Sequence, residues 1–359
     1  MTIETTRQNI VGIQCLRGIA ALMIVFYHLE VQTARLEMPW PHLPVLQAGV
    51  DIFFVISGFI IWWTTATSPD RTIWQFYKER ARRIVPLYWL TTAFVVTVLI
   101  VAPSALRTTA FDLEHIVKSF LFIPGRHPIS NGFHPTLVPG WSLNLEVLFY
   151  LIFGIAIAIA GLNLARRSGI IISTLAGMAL LGWIGRPQGV LGFYLQDLTV
   201  EFGVGVLLGV AYYKEWLRRS SMWWIAVIAG TLSLIFVECV PLGFARAIEW
   251  GAPATAIVVG GVLVPPFSFE ALERLGDWSY SLYLTHPITL AASSTAWRLG
   301  EIQFAALYPM VAVTLAVATA GLIYHSVERP IDRALRRRMS RSGGSRKIEI
   351  RGAILRAGD

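Results

Sequence analysis

About ten apolar runs, each of roughly 18 to 22 residues, follow one another along the chain, and they restrict its fold more than any single motif. Runs of this length suit helices that cross the hydrocarbon core of a bilayer. Only 14% of the 359 residues are charged and 55% are hydrophobic, which excludes an ordinary soluble domain. We predict an all-α, polytopic membrane helix bundle with spans at 10–30, 48–67, 84–103, 143–163, 169–185, 190–213, 222–241, 246–264, 279–298 and 306–326.

Most of the 30 lysines and arginines fall in alternate connections and in the C-terminal tail. This distribution follows the positive-inside rule and predicts that both termini are cytoplasmic. The net charge of +8 therefore reflects membrane topology, and we expect membrane lipids but no nucleic acid as partners. Residues 1–330 form the predicted membrane domain, and residues 331–359 form a basic tail that is predicted to contact anionic lipid and then to be disordered.

An outer loop at about 104–142 connects the third and fourth predicted spans and contains three histidines among prolines and glycines. It could fold over the outer mouth of the bundle as a cap, or it could be a solvated connector. Both interpretations are open from the sequence. The two cysteines lie far apart in predicted spans, so we predict no disulfide and no metal site.

The first predicted span contains two ionisable residues, Arg17 and His28, in an otherwise apolar stretch. Their eleven-residue separation amounts to three helical turns plus about 20°, which places both on one helix face about 16 Å apart. Ionisable groups within a membrane usually face a protein interior or a watery cavity. We predict a functional pair, although an arginine that reaches lipid phosphate and an interfacial histidine remain an alternative.

Two acidic residues are predicted at the outer level of His28. Asp51 lies in the first turn of the second span, where its negative charge could also interact favourably with the helix dipole. Glu146 follows Trp141 and Ser142 at the start of the fourth span, and Ser142 and Glu146 share one helix face. The three residues His28, Asp51 and Glu146 together resemble a base with an orienting carboxylate. Such a histidine could take a proton from a hydroxyl or carry an acyl group itself.

Arg80 and Arg83 share a helix face just before the third span, at the same end as Arg17. Guanidinium groups suit phosphate binding because each offers a planar fork of donors, although topogenic charge also places arginines here. In the ninth span, Tyr283 and His286 lie on a hydroxyl-rich stripe that could contact substrate or form a packed interhelical network.

These motifs resemble the acyltransferase-3 family of integral-membrane acyltransferases, which includes O-acetylases of bacterial exopolysaccharide and lipopolysaccharide. The resemblance covers about residues 10–330, and its glutamate motif is most similar to the exopolysaccharide-acetylase branch. The matching pieces are Leu16-Arg17-Gly18 through His28, Gly49 to Phe54 with Ser57-Gly58-Phe59, Arg80 to Arg83 with Pro86-Leu87-Tyr88-Trp89, Trp141-Ser142 with Glu146, Ser279 to Leu284 with His286-Pro287, and Glu328 with Pro330.

The resemblance implies transfer of an acyl group, usually acetyl from cytoplasmic acetyl-CoA, to a sugar hydroxyl of a glycan or glycolipid in a bacterial inner membrane. It assigns catalysis to His28, supported by Glu146 and Asp51. It implies that Arg17, Arg80, Arg83 and Tyr88 bind the acyl-CoA donor, and that Trp141, Ser142, Tyr283 and His286 contact substrate. No metal is implied, and the oligomeric state is open. The main alternative is a transporter or flippase for a glycan or lipid-linked precursor, and another is a non-catalytic export component.

Overall fold

The computed structural model describes residues 11–68, 71–103, 109–240, 243, 245–265, 269–302 and 304–339. Within these ranges the chain is helical and contains no strand. The helices are α1 (Val11–Arg35), α2 (Ala48–Ala66), α3 (Ile73–Val101), α4 (Leu113–Phe120), α5 (Gly140–Ala160), α6 (Leu164–Gly185), α7 (Gly189–Tyr194), α8 (Thr199–Tyr213), α9 (Trp223–Cys239), α10 (Ala252–Leu263), α11 (Glu270–Leu299) and α12 (Tyr308–Ile323).

Seven helical segments in the described part of the chain are long and apolar enough to cross a membrane. They are Val11–Arg35, Pro44–Ala66, Ile73–Val101, Gly140–Ala160, Leu164–Gly185, Gly189–Tyr213 and Tyr308–Met339. The other three predicted spans also fall in helices. Two of these, Trp223–Cys239 and Ala247–Leu263, are apolar but shorter, and α11 has 30 residues that include several charges. The chain is thus a multi-pass membrane helix bundle, and the count of ten spans stays a prediction.

The third helix begins well before residue 84, where its predicted membrane span starts. A capping box at its N terminus explains the difference: Thr72 Oγ1 accepts from the backbone N–H of Gln75, whose side chain accepts from the backbone N–H of Thr72. The arginine-rich segment is therefore part of α3. Its side chains are fixed to the same rigid helix as the apolar residues that follow.

The C-terminal helix also continues past its predicted end, from Tyr308 to Met339. A π-type turn at Tyr324–Glu328 precedes Pro330, and such a turn re-forms the backbone bonding that a proline interrupts. The prediction of a disordered tail from residue 331 is therefore wrong as far as Met339. Residues 340–359 lie outside the described residues.

The first helix lies at the centre of the bundle and packs against α2, α10, α11 and α12. Small residues allow these close approaches, as is usual between membrane helices. A Cβ atom on Gly276 of α11 would collide with the backbone oxygen of Gln14 on α1. Gly58 of α2 and Gly205 of α8 likewise approach each other's helix backbone directly. The central helices are consequently held at distances that side chains larger than hydrogen would not permit.

The described part of the outer loop is ordered around α4, and it is fastened to α3. Tyr88 donates a hydrogen bond to the Ser119 carbonyl at 3.0 Å, and Trp89 Nε1 donates to the Phe120 carbonyl at 2.9 Å. Within the loop, Ser119 Oγ accepts from the backbone N–H of Thr136 at 2.9 Å. The loop is therefore a packed unit and not merely a solvated connector.

Candidate active site

A large cavity opens to solvent at one end of the bundle, which we call the basic end. Seven arginines and five acidic residues line it, drawn from α1, α3 and the residues just before it, α5, α11 and the C-terminal helix. They are Arg17, Arg71, Arg80, Arg82, Arg83, Arg329 and Arg336, with Glu79, Glu146, Asp277, Glu328 and Asp332. An excess of guanidinium groups in one concavity suits a ligand that carries several phosphates.

Two of these arginines are held by acidic partners. Arg71 pairs with Glu79, and Arg82 pairs with Asp332, each at 3.3 Å. The second ion pair fastens the C-terminal helix beside the cavity. The segment that was predicted to lie in the tail therefore supplies part of the cavity wall, including Arg336.

Arg80 and Arg83 are bonded differently from the two paired arginines. Arg80 Nε is buried without a hydrogen-bond partner, and the Arg80 guanidinium lies 5.9 Å from the centre of the Phe76 ring. Among the described residues, none forms a hydrogen bond or ion pair with Arg83. Burying Arg80 Nε without a partner is unfavourable, so an anionic ligand in the cavity would satisfy it. Arg83 is exposed and lines the same cavity.

A second, smaller cavity adjoins the first. The two share Arg17, Ile56, Ser57, Arg83 and Glu146 as lining residues, so these side chains form the neck between them. The rest of the second cavity's wall combines apolar side chains with hydroxyl groups, and is lined by Val50, Phe53, Phe54, Ile84, Leu143, Ser142, Ser279, Tyr280 and Tyr283. A ligand can therefore have a charged portion at the basic end and a less polar arm in the second cavity.

Arg17 is positioned at this neck by two hydrogen bonds. Its Nη1 donates to Gln14 Oε1 at 3.2 Å, and its Nη2 donates to Ser279 Oγ at 2.9 Å. Gln14 in turn donates to Asp277 at 2.6 Å. The predicted association of Arg17 with Arg80 and Arg83 is thus visible as a shared cavity, while their role in donor binding stays a prediction.

Glu146 lies at the neck and not beside His28, contrary to the expectation that they share one level. It accepts hydrogen bonds from Tyr150 at 2.6 Å and from Ser57 at 3.2 Å. Helix α5 begins at Gly140, so Glu146 is almost two turns, or about 9 Å, further along the helix than its start. The glutamate is accordingly grouped with the neck arginines.

Asp51 is fully buried, and its partner is Arg246. Arg246 Nη2 donates to Oδ2 of Asp51 at 2.7 Å and Nε donates to Oδ1 at 3.2 Å, which makes a two-pronged ion pair. Trp250 lies against the same guanidinium, 4.3 Å from ring centre to charge. The expectation that Asp51 orients His28 therefore finds no support in its bonding, because its hydrogen bonds come from this arginine and His28 bonds Ile24 and His286 instead.

His28 lies at the opposite end of α1 from Arg17 and contacts His286 of α11. The two ring centres are 4.8 Å apart, and His286 Nε2 lies 3.3 Å from His28 Nδ1. His286 is fully buried, and its ring lies 6.2 Å from that of Tyr283, which lines the second cavity. Aromatic side chains thus link the far side of that cavity to His28.

The remaining predicted residues separate into two groups. Ser142 and Tyr283 line the second cavity, and their hydroxyls lie 2.7 Å apart. Trp141 packs against the main hydrophobic core, and Tyr88 is fully buried with its hydroxyl bonded to Ser119. Neither Trp141 nor Tyr88 lines either cavity, so the geometry gives no support to the predicted contact of Tyr88 with the donor, which stays a prediction.

Sequence reasoning missed the roles of Ser57, Arg246 and Glu201. Ser57 bonds Glu146 at the neck, and its spacing of six residues from Asp51 gave no signal for this contact. Arg246 lies 195 residues from its carboxylate partner. Glu201 is a buried acid on α8. It lies beside Gly251, which ends the helical turn Ala247–Gly251 that directly follows Arg246. Within the described residues, no group of three or more His, Cys, Asp or Glu side chains could hold a metal ion.

Fold and cavities together define a multi-pass membrane protein with an arginine-lined chamber that connects to a narrower, less polar one. Residues 10–325 match the family described as "Acyltransferase domain", and the chain belongs to that family. This match extends over the helices that line both cavities.

Individual relatives agree with the family. The chain is 33% identical to exopolysaccharide production protein ExoZ of Rhizobium meliloti (strain 1021) over 84% of this chain and 94% of that protein. It is 25% identical to acyltransferase MdmB of Streptomyces mycarofaciens, over 90% and 92% of the two chains. It is 24% identical to peptidoglycan O-acetyltransferase OatA of Listeria monocytogenes over 92% of this chain but only 57% of that protein. No solved structure matches the chain.

Proposed function

We propose that this protein is a membrane O-acyltransferase that moves an acyl group, acetyl in the first instance, from acyl-CoA to a hydroxyl of an extracellular glycan. The observation that carries this proposal is the continuous pair of cavities, because an arginine-lined chamber opens through one neck into a less polar chamber. The shape matches a donor that has phosphates at one end and a long uncharged arm at the other.

The donor would be held by the charge arrangement of the larger cavity. Arg80 and Arg83 have donor groups that no described residue uses, and Arg17 reaches the neck from α1. The narrower cavity would receive the pantetheine arm, since its wall combines apolar side chains with hydroxyl groups such as those of Ser142 and Tyr283. Glu146 at the neck would then lie near the arm and not near the phosphates.

His28 is the proposed catalytic group, and it would serve as the base for the acceptor hydroxyl or carry the acyl group. Its ring is partly exposed, whereas His286 beneath it is fully buried. Arg17 is the residue of α1 that lines both cavities, and His28 lies three turns further along this unbroken helix, about 16 Å away. Donor binding and acyl transfer would therefore occur at different depths of one bundle.

Membrane topology supports the same assignment. The basic end collects Arg17, Arg80, Arg83 and Arg336, and an excess of arginine is typical of cytoplasmic faces. We therefore propose cytoplasmic termini, ten spans and a bacterial inner-membrane location, with acyl-CoA entering from the cytoplasm. The relatives named for exopolysaccharide production and peptidoglycan O-acetylation support a glycan acceptor.

Binding of acetyl-CoA to the purified full-length protein in detergent tests the donor side directly. We expect saturable binding by calorimetry and an upward shift of the unfolding temperature. The double variant Arg80→Ala/Arg83→Ala should weaken affinity at least about tenfold, because two charge-assisted contacts are lost.

A matched control is the double variant Arg218→Ala/Arg274→Ala. Each of these arginines is exposed in a surface ion pair and lines neither cavity. It removes the same charge and should leave affinity unchanged. Absence of acetyl-CoA binding by a protein that unfolds cooperatively would overturn the proposed donor, and equal losses in both double variants would show that only net charge matters.

A further inference from the structure

Two histidines from distant parts of the chain form a directional hydrogen-bonded pair. His28 Nδ1 lies 2.8 Å from the Ile24 carbonyl oxygen, one turn earlier on α1. His286 Nδ1 lies 3.1 Å from the Leu282 carbonyl oxygen, one turn earlier on α11. The two rings meet where His286 Nε2 approaches His28 Nδ1 at 3.3 Å. Both side chains are thus bonded to their own helix and to each other.

These contacts determine which ring nitrogens carry protons. A carbonyl oxygen can only accept a hydrogen bond, so Nδ1 of each histidine must be the protonated nitrogen. In a neutral ring the other nitrogen then has a free lone pair. His286 Nε2 is consequently an acceptor, and the Nδ1–H of His28 is shared between the Ile24 carbonyl and His286. The arrangement leaves Nε2 of His28 as its basic nitrogen.

That basic nitrogen is accessible. No described residue forms a hydrogen bond with His28 Nε2, and it is not among the buried polar atoms that lack a partner. His286, in contrast, is fully buried and has no route to a ligand except through its contacts with His28 and Tyr283. The two histidines therefore have different roles: His28 presents the lone pair of its Nε2, and His286 accepts a hydrogen bond from the Nδ1–H of His28.

The usual orienting group for a catalytic histidine is a carboxylate, but the carboxylates that sequence analysis assigned to this role are engaged elsewhere. Glu146 bonds Ser57 and Tyr150, and Asp51 bonds Arg246. A neutral imidazole can accept the same hydrogen bond without placing a further negative charge among apolar helices, where charge is unfavourable. His286 thus replaces the carboxylate at this position.

We propose that His286 is a positioning residue that holds His28 in its Nδ1–H form, so that Nε2 performs the chemistry. This inference rests on the proposed acyltransferase function. In the transfer, Nε2 of His28 accepts the proton of the glycan hydroxyl while the hydroxyl oxygen bonds to the thioester carbonyl carbon. The C–S bond then breaks, sulfur leaves with its electron pair, and the proton on His28 passes to it, which yields the ester and free CoA thiol.

The test combines kinetics with nitrogen NMR on the full-length protein in lipid nanodiscs. The assay measures release of CoA thiol from acetyl-CoA, with de-O-acetylated exopolysaccharide as the acceptor. His286→Ala should lower kcat about 10²-fold, which is the usual scale of a lost acid–base arrangement, and should leave the KM for acetyl-CoA unchanged. His286→Gln should recover at least a tenth of the wild-type kcat because its side-chain oxygen can accept from His28 Nδ1–H.

The control variant is His42→Ala, because His42 is exposed and bonds Glu30 instead of the pair. It should retain wild-type kcat. In ¹⁵N-histidine spectra near neutral pH, His28 should show a protonated Nδ1 and an unprotonated Nε2, and His286→Ala should lose this preference.

The outcomes separate this inference from the function on which it rests. Equal kcat losses in His286→Ala and His286→Gln would reduce His286 to a space-filling role and overturn the positioning assignment. A wild-type spectrum with the proton on His28 Nε2 would overturn it as well. Wild-type protein that binds acetyl-CoA but transfers nothing would refute the proposed function, and the nitrogen spectra would still decide whether the hydrogen-bonded pair exists.

Discussion

Arg17 and Ser279 are 262 residues apart in the sequence, yet Nη2 of Arg17 donates a hydrogen bond to Oγ of Ser279 at 2.9 Å. Further along the same two helices, His28 contacts His286. From the first contact to the second, the residue numbers increase along both helices, so α1 and α11 run parallel. The helix pair therefore ties the neck of the cavities to the histidine pair through one rigid contact surface.

Replacement of Arg17 by lysine should weaken acetyl-CoA binding about tenfold. A lysine ammonium has no planar fork, so it cannot reproduce the bonds to Gln14 and Ser279 while facing the neck. Loss of one charge-assisted contact is on the order of 1.5–3 kcal/mol, and partial compensation by the remaining charge reduces the effect. Calorimetric titration of Arg17→Lys beside wild type measures the change.

Ser279→Ala is the control for this substitution. It removes the tie to α11 but keeps the guanidinium, so its affinity should lie between those of wild type and Arg17→Lys. An Arg17→Lys protein with wild-type affinity would contradict the placement of Arg17 in the donor site.

Substitution of Gly276 should separate α1 from α11. Its added Cβ would meet the backbone oxygen of Gln14, and a backbone atom within a helix cannot turn aside. We expect Gly276→Ala to lower the free energy of unfolding by about 1–3 kcal/mol, as overpacking does elsewhere, and to reduce acyl transfer as well. Thermal unfolding in detergent, followed by tryptophan fluorescence, measures the stability change.

The comparison for Gly276 is Gly177→Ala on α6. Gly177 is also inside a helix, but nothing lies within 4 Å of the position that its Cβ would occupy. Helix propensity alone should make this variant equal to or more stable than wild type. A Gly276→Ala protein as stable as Gly177→Ala would mean that the two helices can move apart freely.

Local sequence pattern was sufficient for the helices and for part of the site. Helical periodicity placed Arg17 and His28 on one face of α1, and charge distribution placed Arg80 and Arg83 at the end where Arg17 lies. Apolar length also predicted a multi-pass bundle. These inferences depend on residues close together in the chain, where geometry is fixed by the helix itself.

The contacts between helices could not be obtained in this way. Asp51 meets Arg246 across 195 residues and His28 meets His286 across 258 residues, and periodicity within a helix says nothing about which face meets which neighbour. The depth of Glu146 was missed for a different reason. Glu146 lies six residues after the start of its helix, which at 1.5 Å per residue places it about 9 Å from that end, and the expectation of one shared level did not take this distance into account.

Removal of Arg246 should be strongly destabilising because it leaves the fully buried carboxylate of Asp51 without its cationic partner. Breaking one side of a buried ion pair typically lowers the free energy of unfolding by about 3–5 kcal/mol. Arg246→Ala should therefore unfold at a clearly lower temperature than wild type, and Asp51→Asn/Arg246→Ala should recover part of the loss. Arg218→Ala, which breaks an exposed pair with Glu215, should change stability by at most about 1 kcal/mol. Equal effects of the two arginine variants would contradict this view of Asp51.

The outer loop should lose stability on mild acidification. Nδ1 of His127 accepts hydrogen bonds from the backbone N–H groups of Ile129 and Ser130, both at 3.3 Å, and Nε2 donates to Thr109 at 2.8 Å. Protonation of Nδ1 would therefore remove two accepted bonds. The ring of His115 lies 5.3 Å from that of His127, and neither of its nitrogens has a hydrogen-bond partner in the described part of the chain.

Burial lowers the pKa of His127 below its usual value, and the nearby His115 and His134 lower it further. Burial likewise lowers the pKa of His115, against the opposing effect of Asp112 and with a small contribution from Lys118. The unfolded loop, with histidine pKa values of about 6.5, consequently binds protons before the folded loop does. The contribution of these histidines to the stability of the folded loop is fully present above about pH 7, and it decreases as the pH falls below about 6.5.

Hydrogen–deuterium exchange of peptides from 113–139, corrected for the intrinsic effect of pH, measures this loss. We expect protection at pH 7.5 to exceed protection at pH 5.5, while peptides from α2 and α5 change little. His127→Gln should remove the larger part of the difference because an amide oxygen can accept the same backbone bonds and does not titrate. His42→Gln, at an exposed site outside the loop, should leave it intact. Protection that is independent of pH in the wild type, or unchanged pH dependence in His127→Gln, would show that this histidine does not hold the loop together.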